Sequence, residues 1–386
     1  MHLPPLSLYI HIPWCVRKCP YCDFNSHAAG NALPEAEYIS RLTQDLAHCQ
    51  AHCQGRKLSS IFFGGGTPSL FSARGIEQIL ATAETLVGFA RDVEITLEAN
   101  PGTFEQVRFA AYRQAGVNRL SIGVQSFQAE QLRALGRIHS AEEAATAVER
   151  ARAVGFDNIN IDLMHGLPNQ TLAQAKHDLA SAIALGPDHL SWYQLTIEKN
   201  TAFYSAPPTL PDDELLADIE ELGFTLLHEA GFHQYEVSAF CRDGKRCHHN
   251  INYWQFGDYL GIGAGAHGKI TWNDPQQVRR SQITRLPRHY LAQPEAEFHW
   301  HTVDKAQLQF EFMLNALRLR EGVPRHFFHE RTHLNFAAIE KVCEDLIRQG
   351  LLLDDQQQLV CTASGFRFLN DVVGAFLVRE TADGKC

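Results

Sequence analysis

Apolar and polar residues follow two kinds of pattern along the N-terminal half of the chain. Short apolar runs of strand length occur at Leu6–Ile12, Ser60–Phe63, Val93–Glu98, Arg119–Val124, Asn158–Leu163 and His189–Ile197. Between them, apolar residues at helical spacing predict helices at Glu35–Cys53, Ala73–Leu86, Thr103–Ala115, Gln128–Leu135, Ala141–Val154 and Leu172–Leu185. Gly116, Gly155 and Gly186 follow three of these helices, where a glycine commonly ends a helix. Repeated strand–helix units with short connections predict an α/β fold with a parallel sheet.

The pattern changes after residue 205. A turn-rich linker, Ser205–Pro211, precedes a helix predicted at Glu214–Ala230, with Asp212 or Asp213 as its N-cap. A less regular region then extends to about Trp300. The last part predicts helices at Ala306–Leu319, Arg325–Arg331 and Ala337–Gln349, strand-like runs at Leu351–Leu353 and Gln358–Cys361, and a final helix at Ser364–Phe376. This order indicates a winged-helix-like module, and we divide the chain into 1–205, 206–304 and 305–386.

Composition and charge narrow the class of protein. The 386 residues are 45% hydrophobic and 20% charged, as in ordinary globular proteins, and a net charge of −10 gives no general attraction to nucleic acid. Residues 305–386 carry 10 Lys and Arg against 11 Asp and Glu, so we expect this module to pack on the rest of the chain or on a partner rather than to read DNA. No signal peptide or membrane-length apolar run is visible, which predicts a cytoplasmic protein with reduced thiols.

Three cysteines form the pattern with the most chemical content. Cys15, Cys19 and Cys22 have C-x3-C-x2-C spacing directly after the first predicted strand. A [4Fe–4S] cluster normally takes four thiolates, so three would leave one iron open. The open iron could bind the amino and carboxylate groups of S-adenosylmethionine (SAM), and an electron from the cluster could cleave SAM to a radical. A zinc site, with His11 or His27 as fourth ligand, and a disulfide are the alternatives.

Polar residues collect where the predicted strands end. Gly64–Pro68 follow the second strand, Glu98 ends the third, Gln125 follows the fourth with Arg137 on the next helix, and Asp162 ends the fifth. Because parallel strands end at one edge, these residues predict a polar ring around one mouth of a barrel, where such folds place their chemistry. The glycines could let backbone groups approach SAM. Taken singly, each polar residue is more typical of a structural hydrogen-bonding group than of a ligand, and the glycine turn alone is weak evidence for a ligand site.

Two histidine-containing segments have more than one interpretation. In His248–Trp254 a neutral imidazole could bind haem iron and aromatic rings could cover the porphyrin, although a structural loop at a domain contact is the commoner role of such a segment. Imidazole ligation is expected to fade below about pH 6, near the reference pKa of ~6.5. His267, after a glycine-rich turn, is a further pocket residue. His48–Cys53 has metal-like spacing but is more typical of the outer surface of a helix.

Together these motifs resemble the radical-SAM superfamily. Over almost the whole chain they resemble the HemW-type haem chaperones of the HemN-like family, the oxygen-independent coproporphyrinogen III oxidases. The resemblance is carried by Tyr9–Cys15, Gly64–Pro68, Ile122–Ser126, Asp162–Pro168 and His249–Trp254, and by the aromatic Tyr21 before the third cysteine. It implies an incomplete (β/α)6 TIM-like radical-SAM barrel with an additional mixed region and a C-terminal winged-helix-like module.

The resemblance also implies roles for individual residues. Cys15, Cys19 and Cys22 would hold the [4Fe–4S] cluster. SAM would contact Tyr9, Tyr21, Gly65, Gly66, Thr67, Glu98, Gln125, Arg137 and Asp162. Haem, as cargo, would be handled by His249 together with Asn250, Tyr253 and Trp254.

The implied function is that of a cytoplasmic chaperone that delivers haem to apo-haemoproteins. Respiratory-chain proteins are among the expected acceptors, with peripheral attachment to the inner membrane during delivery, and the resemblance leaves room for a homodimer. The alternative is a radical-SAM oxidoreductase acting on a porphyrinogen. The oxidase has a fourth cysteine where this chain has Phe24, and a longer extension where only 14 residues precede Cys15, and both differences argue against it. An RNA-modifying enzyme is disfavoured by the acidic charge.

Overall fold

A 12-stranded sheet runs through most of the molecule in the computed structural model, which describes residues 3–30, 32–102, 106–295 and 297–377. Numbered in chain order, its strands are β1 (Leu6–Ile12), β2 (Leu58–Gly65), β3 (Phe89–Ala99), β4 (Arg119–Gln125), β5 (Ile159–His165), β6 (His189–Gln194), β7 (His233–Glu236), β8 (Ala239–Cys241), β9 (Asp258–Ile262), β10 (His267–Asn273), β11 (Gln276–Gln282) and β12 (His299–Thr302). Their spatial order is β12-β11-β10-β9-β1-β2-β3-β4-β5-β6-β8-β7.

The central strands confirm the predicted parallel α/β fold. Each predicted strand of the N-terminal half is present, as β1 to β6, and these strands pair in parallel in chain order. Strand β1 is buried at all positions except Tyr9, as expected for a parallel sheet covered on both faces. Within the described residues the order of strands has two ends and does not close into a ring, in keeping with an incomplete barrel.

The helices predicted between these strands are present, with different lengths in places. They are α1 (Glu35–Cys49), α2 (Ala73–Leu86), α3 (Phe109–Gln114), α4 (Ala129–Ala134), α5 (Ala141–Ala153) and α6 (Leu172–Ala184). The first ends at Cys49 and continues as a 3-10 turn to Cys53, because Gln54 adopts a left-handed conformation. Residues 103–105, where the third helix was predicted to begin, lie outside the described residues. Gly116, Gly155 and Gly186 have positive φ, as predicted for residues that end helices.

The region between the linker and Trp300 is more regular than predicted. After α7 (Ala202–Ser205) and α8 (Asp213–Glu229), which Asp212 caps, strands β7 and β8 extend one edge of the sheet. Strand β9 returns beside β1 in parallel, and β10 to β12 extend that edge in antiparallel fashion. Helices α9 (His248–Trp254) and α10 (Pro287–Ala292) lie between these strands. The prediction of a less regular region was therefore wrong, because β7, β8 and β12 have only three or four residues and others, such as Gln276–Gln282, carry few apolar residues.

The C-terminal part forms a second apolar core. Its helices are α11 (Lys305–Ala316), α12 (His326–Thr332), α13 (Ala337–Arg348), α14 (Ala363–Arg367) and α15 (Leu369–Gly374). The predicted final helix is thus two short helices that meet at Phe368. The predicted hairpin is reduced to a bridge between Leu352 and Cys361, while Gln358–Leu359 pairs with Val323–Pro324. Because Tyr235 and Val278 of the large sheet belong to this core, the module packs on the sheet. The proposed domain boundaries stay a prediction.

The longest described helix, α8, has 17 residues, and no helix among the described residues combines the length and the apolar character that a membrane span requires.

Candidate functional site

A cavity of about 480 Å³ opens at the carboxyl ends of the parallel strands. Its lining includes most of the predicted site residues, namely Cys15, Cys19, Cys22, Tyr21, Gly65, Gly66, Thr67, Glu98, Gln125, Arg137 and Asp162. Strands β2 to β5 and the segments that follow β1, β2 and α4 supply them, so residues up to 147 positions apart in the sequence (15 to 162) meet in one space. We call this space the first cavity.

The three cysteines lie on one loop at the edge of the first cavity. Cys15 is buried in a short strand that pairs with His27–Ala28, while Cys19 and Cys22 are partly exposed, and all three are free thiols. Burial raises the pKa of Cys15 and Cys22, so a positively charged ligand is needed to hold their thiolates at neutral pH. Within the described residues, no three metal-ligating side chains converge on one ion position.

The glycine turn after β2 is shaped by its contact with the cysteine segment. A Cβ atom on Gly66 would lie 2.4 Å from the backbone oxygen of Trp14, and one on Gly65 would lie 2.4 Å from the ring of His11. The Gly66 N–H donates to the Ile12 oxygen over 2.8 Å, and the Thr67 N–H donates to the Trp14 oxygen over 2.7 Å. Only glycine permits this approach, which fixes the turn beside Cys15.

Two buried carboxyl groups face the first cavity from β3 and β5. The Gly65 N–H donates to Glu98 over 3.1 Å, and Ser121 and Asn160 donate to Asp162 over 3.1 and 2.8 Å. Burial, followed by the charge of Asp162, raises the pKa of Glu98 to about 8, and burial also raises the pKa of Asp162. A cation in the cavity would stabilise both carboxylates, so the site is suited to an ammonium or sulfonium group.

Arg137 connects the cysteine loop with the strand ends. Its guanidinium donates to Asn100 Oδ1 over 2.8 Å and to the Gly123 oxygen over 2.5 Å, and it lies 3.7 Å from the Cys19 sulfur. These contacts tie the cysteine loop to the ends of β3 and β4. Gln125 has φ of +69°, and its side-chain oxygen accepts from the Tyr193 hydroxyl over 2.8 Å.

Some lining residues were missed in the sequence. Asn100, Ser121, Ser191 and Tyr193 also face the first cavity. Ser191 and Tyr193 lie two positions apart on β6 and therefore share a face, a signal that was available once that strand was predicted.

Tyr9 is the one predicted SAM residue that lies elsewhere. It lines a second cavity of about 470 Å³, together with His11, Phe24, Asn25, Gly65, Glu98, Tyr253, Tyr259, Gly265, His267 and Arg285. Phe24, Gly65 and Glu98 line both cavities, so the two spaces are neighbours. The His11 Nε2–H donates to the Asn25 oxygen, and the Tyr9 hydroxyl donates to His11 Nδ1, which leaves His11 no free nitrogen.

His249 of the predicted haem motif is buried inside the protein. Its side chain is 2% exposed, and the rings of Tyr253, Phe62 and Tyr9 surround it at 4.7, 5.0 and 6.3 Å. Nδ1 lies 3.2 Å from the Ser60 hydroxyl. Burial lowers the pKa of His249 to about 3, so the ring stays neutral far below pH 6. The expectation that imidazole ligation fades below about pH 6 therefore does not hold for this residue.

The helix α9 that carries the motif is anchored at both ends. The Glu94 carboxylate accepts the N–H groups of His248 and His249 over 3.1 and 3.2 Å at its N-terminus. Asn252 donates to the Ser7 hydroxyl and to the Asp258 oxygen, both over 2.8 Å. Asn250 is half-buried, and the guanidinium of Arg318 lies 4.3 Å from the Trp254 ring. Of the four predicted haem residues, Tyr253 lines the second cavity.

The His48–Cys53 segment packs against the sheet extension. The ring of His48 stacks on Phe298 at 4.8 Å and that of His52 lies 4.4 Å from Trp300, while Cys49 and Cys53 are buried. These contacts fit a structural role, but the predicted position on the outer surface is wrong for Cys49 and Cys53, which pack inward.

Comparison with known proteins places the chain among named relatives. Residues 9–182 match the Radical SAM superfamily and residues 303–368 match the HemN C-terminal domain. The chain is 50% identical to the heme chaperone HemW of Haemophilus influenzae, over 98% of this chain and 99% of the relative. It is 49% identical to the heme chaperone HemW of Escherichia coli, over 97% and 99%.

A solved structure agrees with this placement at the level of the fold. The structure of coproporphyrinogen III oxidase (HemN) from Escherichia coli, a radical SAM enzyme, superposes on this chain with a TM-score of 0.81. The two sequences are 24% identical, and the superposition covers 97% of this chain and 91% of the oxidase. The full-length similarity to the HemW proteins is stronger. The chain therefore belongs to the radical-SAM superfamily and, within it, to the family of the HemW proteins.

Proposed function

We propose that the chain is a haem chaperone, which binds haem as cargo and transfers it to apo-haemoproteins, and that it also keeps a [4Fe–4S] cluster and a SAM site. The observation that carries this proposal is the 50% identity, over almost the full length, to a protein named for that activity. The first cavity supports the second part, because its free thiols, buried carboxyl groups and arginine are arranged around one space.

Cys15, Cys19 and Cys22 would hold the cluster, which supplies when bound an electron for cleavage of SAM. Other residues of the chain hold the cysteine loop in position. Lys18 donates to the Ser26 oxygen over 3.1 Å and thereby folds the cysteine loop back on itself. Arg137 contacts Cys19 and holds the cysteine loop against Asn100 and Gly123.

The first cavity would orient SAM by charge. Glu98 and Asp162 would face the positive charge of the sulfonium, since the open iron takes the amino group, and the arrival of this charge would lower the raised pKa of Glu98 and expel the proton held there. The Gly65–Thr67 backbone, which its contacts with Trp14 hold in place, would lie beside the methionine moiety of SAM. Tyr21 and Gln125 would border the remainder of the ligand.

The alternative is a radical-SAM oxidoreductase that acts on a porphyrinogen. The well-formed first cavity favours it, because a chaperone needs no radical chemistry. Phe24 argues against it: this residue takes the place of the oxidase's fourth cysteine, is 61% exposed and lines both cavities. We further propose that the chain works in the cytoplasm, reaches respiratory-chain acceptors at the membrane, and is able to form a homodimer.

Anaerobic reconstitution followed by two parallel assays tests the proposal. We expect haem titration to produce a Soret band, and we expect no multiple-turnover formation of protoporphyrinogen IX from coproporphyrinogen III with SAM and reductant. Turnover without haem binding would establish the alternative. Replacing Cys15, Cys19 or Cys22 singly by Ser should lower bound iron and sulfide, and a full cluster in all three variants would refute the cluster assignment.

A further inference from the structure

The buried position of His249 raises the question of where haem iron could be reached. The Nε2 atom of His249 is enclosed and has no hydrogen-bond partner within the described residues, and Nδ1 is taken by Ser60. An iron could approach this ring only if α9 left its anchors at Glu94 and Ser7. A cargo that must be released to another protein needs a ligand nearer the surface.

The second cavity offers such a ligand in His267. The side chain is exposed at the rim, and it has no hydrogen bond or ion pair among the described residues. Partial burial, followed by the charges of Arg280 and Arg285, lowers the pKa of His267, so the imidazole is neutral at pH 7. A neutral imidazole with an unused nitrogen is the form that donates its lone pair to haem iron.

The turn before His267 holds this residue in place. A Cβ atom on Gly265 would lie 2.3 Å from Asn25 Nδ2, and one on Gly263 would lie 2.5 Å from the His11 oxygen. Asn25 donates to the oxygens of Ala264 and Arg285, each over 2.9 Å. The position of His267 is therefore fixed by contacts with the segment that follows Cys22.

The rest of the cavity fits a flat ligand with carboxylates. The rings of Tyr253 and Tyr259 meet at 4.4 Å and supply an aromatic wall. The guanidinium of Arg285 is exposed and makes no ion pair within the described segments. Glu98 is the acidic side chain in the described lining, and its raised pKa of about 8 leaves it uncharged at neutral pH. The volume of about 470 Å³ lies in the range of cofactor sites, roughly 300–1,000 Å³.

We propose that haem binds in the second cavity, with His267 as an axial iron ligand and Arg285 paired with a propionate. This inference rests on the proposed function and locates its cargo site. His249 and α9 then act as the floor beneath the ligand, through Tyr9 and Tyr253. An exposed iron ligand leaves the cargo within reach of an acceptor protein, and the shared residues Gly65 and Glu98 put it beside the SAM site.

The test is a titration of ferric haem into the reconstituted full-length chain, recorded as difference spectra against the same protein without haem. His267→Ala should shift the Soret maximum and weaken binding by at least about tenfold, since even the loss of an outer-shell partner commonly has that effect on metal affinity. Added free imidazole should restore the original spectrum. Arg285→Gln should weaken binding roughly two- to fivefold without shifting the maximum, as an exposed ion pair would.

Two further variants complete the design. His248→Ala is the matched control, because His248 is exposed but lines a different cavity, and it should leave the titration unchanged. His249→Gln should keep the original Soret maximum, with circular dichroism confirming its fold. Unchanged binding by His267→Ala would overturn the inference and leave the proposed function standing. A wild-type chain that binds no haem would overturn both.

Discussion

Glu98 shows how a single buried residue can report on the site. Its pKa of about 8 lies above the ordinary value of 4.5, so between these values the folded state binds more protons than the unfolded state. The free energy of unfolding should therefore fall as the pH rises from 4.5 to 8. In Glu98→Gln this fall should shrink by on the order of 3 kcal/mol, measured by denaturant unfolding at several pH values without SAM.

Glu37→Gln provides the control for this experiment. Glu37 is exposed on the first turn of α1, and its replacement should leave the pH dependence as in the wild type. If Glu98→Gln and wild type gave parallel curves, Glu98 would be ionised at neutral pH, and its proposed response to the positive charge of SAM would be wrong.

Gly66 is a second residue whose replacement should have a measurable effect on stability and on bound iron. Its added Cβ in Gly66→Ala would meet the oxygen, carbon and nitrogen of Trp14 at 2.4, 2.7 and 2.9 Å, and backbone atoms cannot move aside as a side chain can. We expect a loss of about 1–3 kcal/mol in unfolding free energy and less iron bound after reconstitution. Gly30→Ala is the matched control, because its Cβ would meet no atom within 4 Å. Equal iron content in both variants would contradict the role of this turn.

At the scale of single residues, the sequence predicted which polar residues share one space better than it predicted which side chains surround them. The cysteines, Glu98 and Asp162 stood out because polar groups after apolar strands are conspicuous. The burial of His249 could not be predicted. A histidine beside aromatic residues gives the same sequence pattern whether it is packed under Tyr9 or open to a ligand. Only the positions of α9 and β1 in space distinguish the two.

Helix α9 carries the predicted haem motif and is anchored to the sheet. Glu94 on β3 accepts from its first two N–H groups and also lies 4.0 Å from the buried Arg119. Glu94→Ala would leave these donors without their acceptor and the guanidinium without its ion-pair partner. We expect a loss of about 3 kcal/mol in unfolding free energy and faster hydrogen exchange at His248 and His249.

Glu94→Gln serves as the comparison for this variant. It keeps one oxygen that can accept from the helix, so its exchange rates should lie between those of wild type and Glu94→Ala. Wild-type exchange in both variants would show that the helix does not depend on Glu94.

The elements themselves were predictable where their patterns were long. Strands β1 to β6 are rich in apolar residues, and α5 and α6 begin with capping boxes at Ser140 and Thr171. Strands β7 to β12 were missed, because some have only three or four residues, others carry few apolar residues, and β9 pairs with the distant β1. Pattern analysis detects local periodicity and carries no information on such pairing.

For the whole molecule, the sequence predicted the parallel fold but not the way the C-terminal half completes it. Strands on both edges extend the sheet, and the C-terminal core packs on them through residues such as Tyr235 and Val278. The second cavity lies between the cysteine loop and this extension, with Asn25 linking the two. Its residues come from segments 240 positions apart (25 to 265), so no local motif could reveal it.

Transfer of haem is the most direct test of the central claim. The reconstituted chain is loaded with one equivalent of haem, mixed with a purified apo-haemoprotein of the respiratory chain, and separated from it, and the haem in each fraction is measured. We expect the acceptor to gain haem while the chain loses an equal amount. We expect this transfer to be faster than the loss of haem from the chain to albumin. Haem that stays on the chain, or that leaves no faster than into albumin, would contradict the chaperone function.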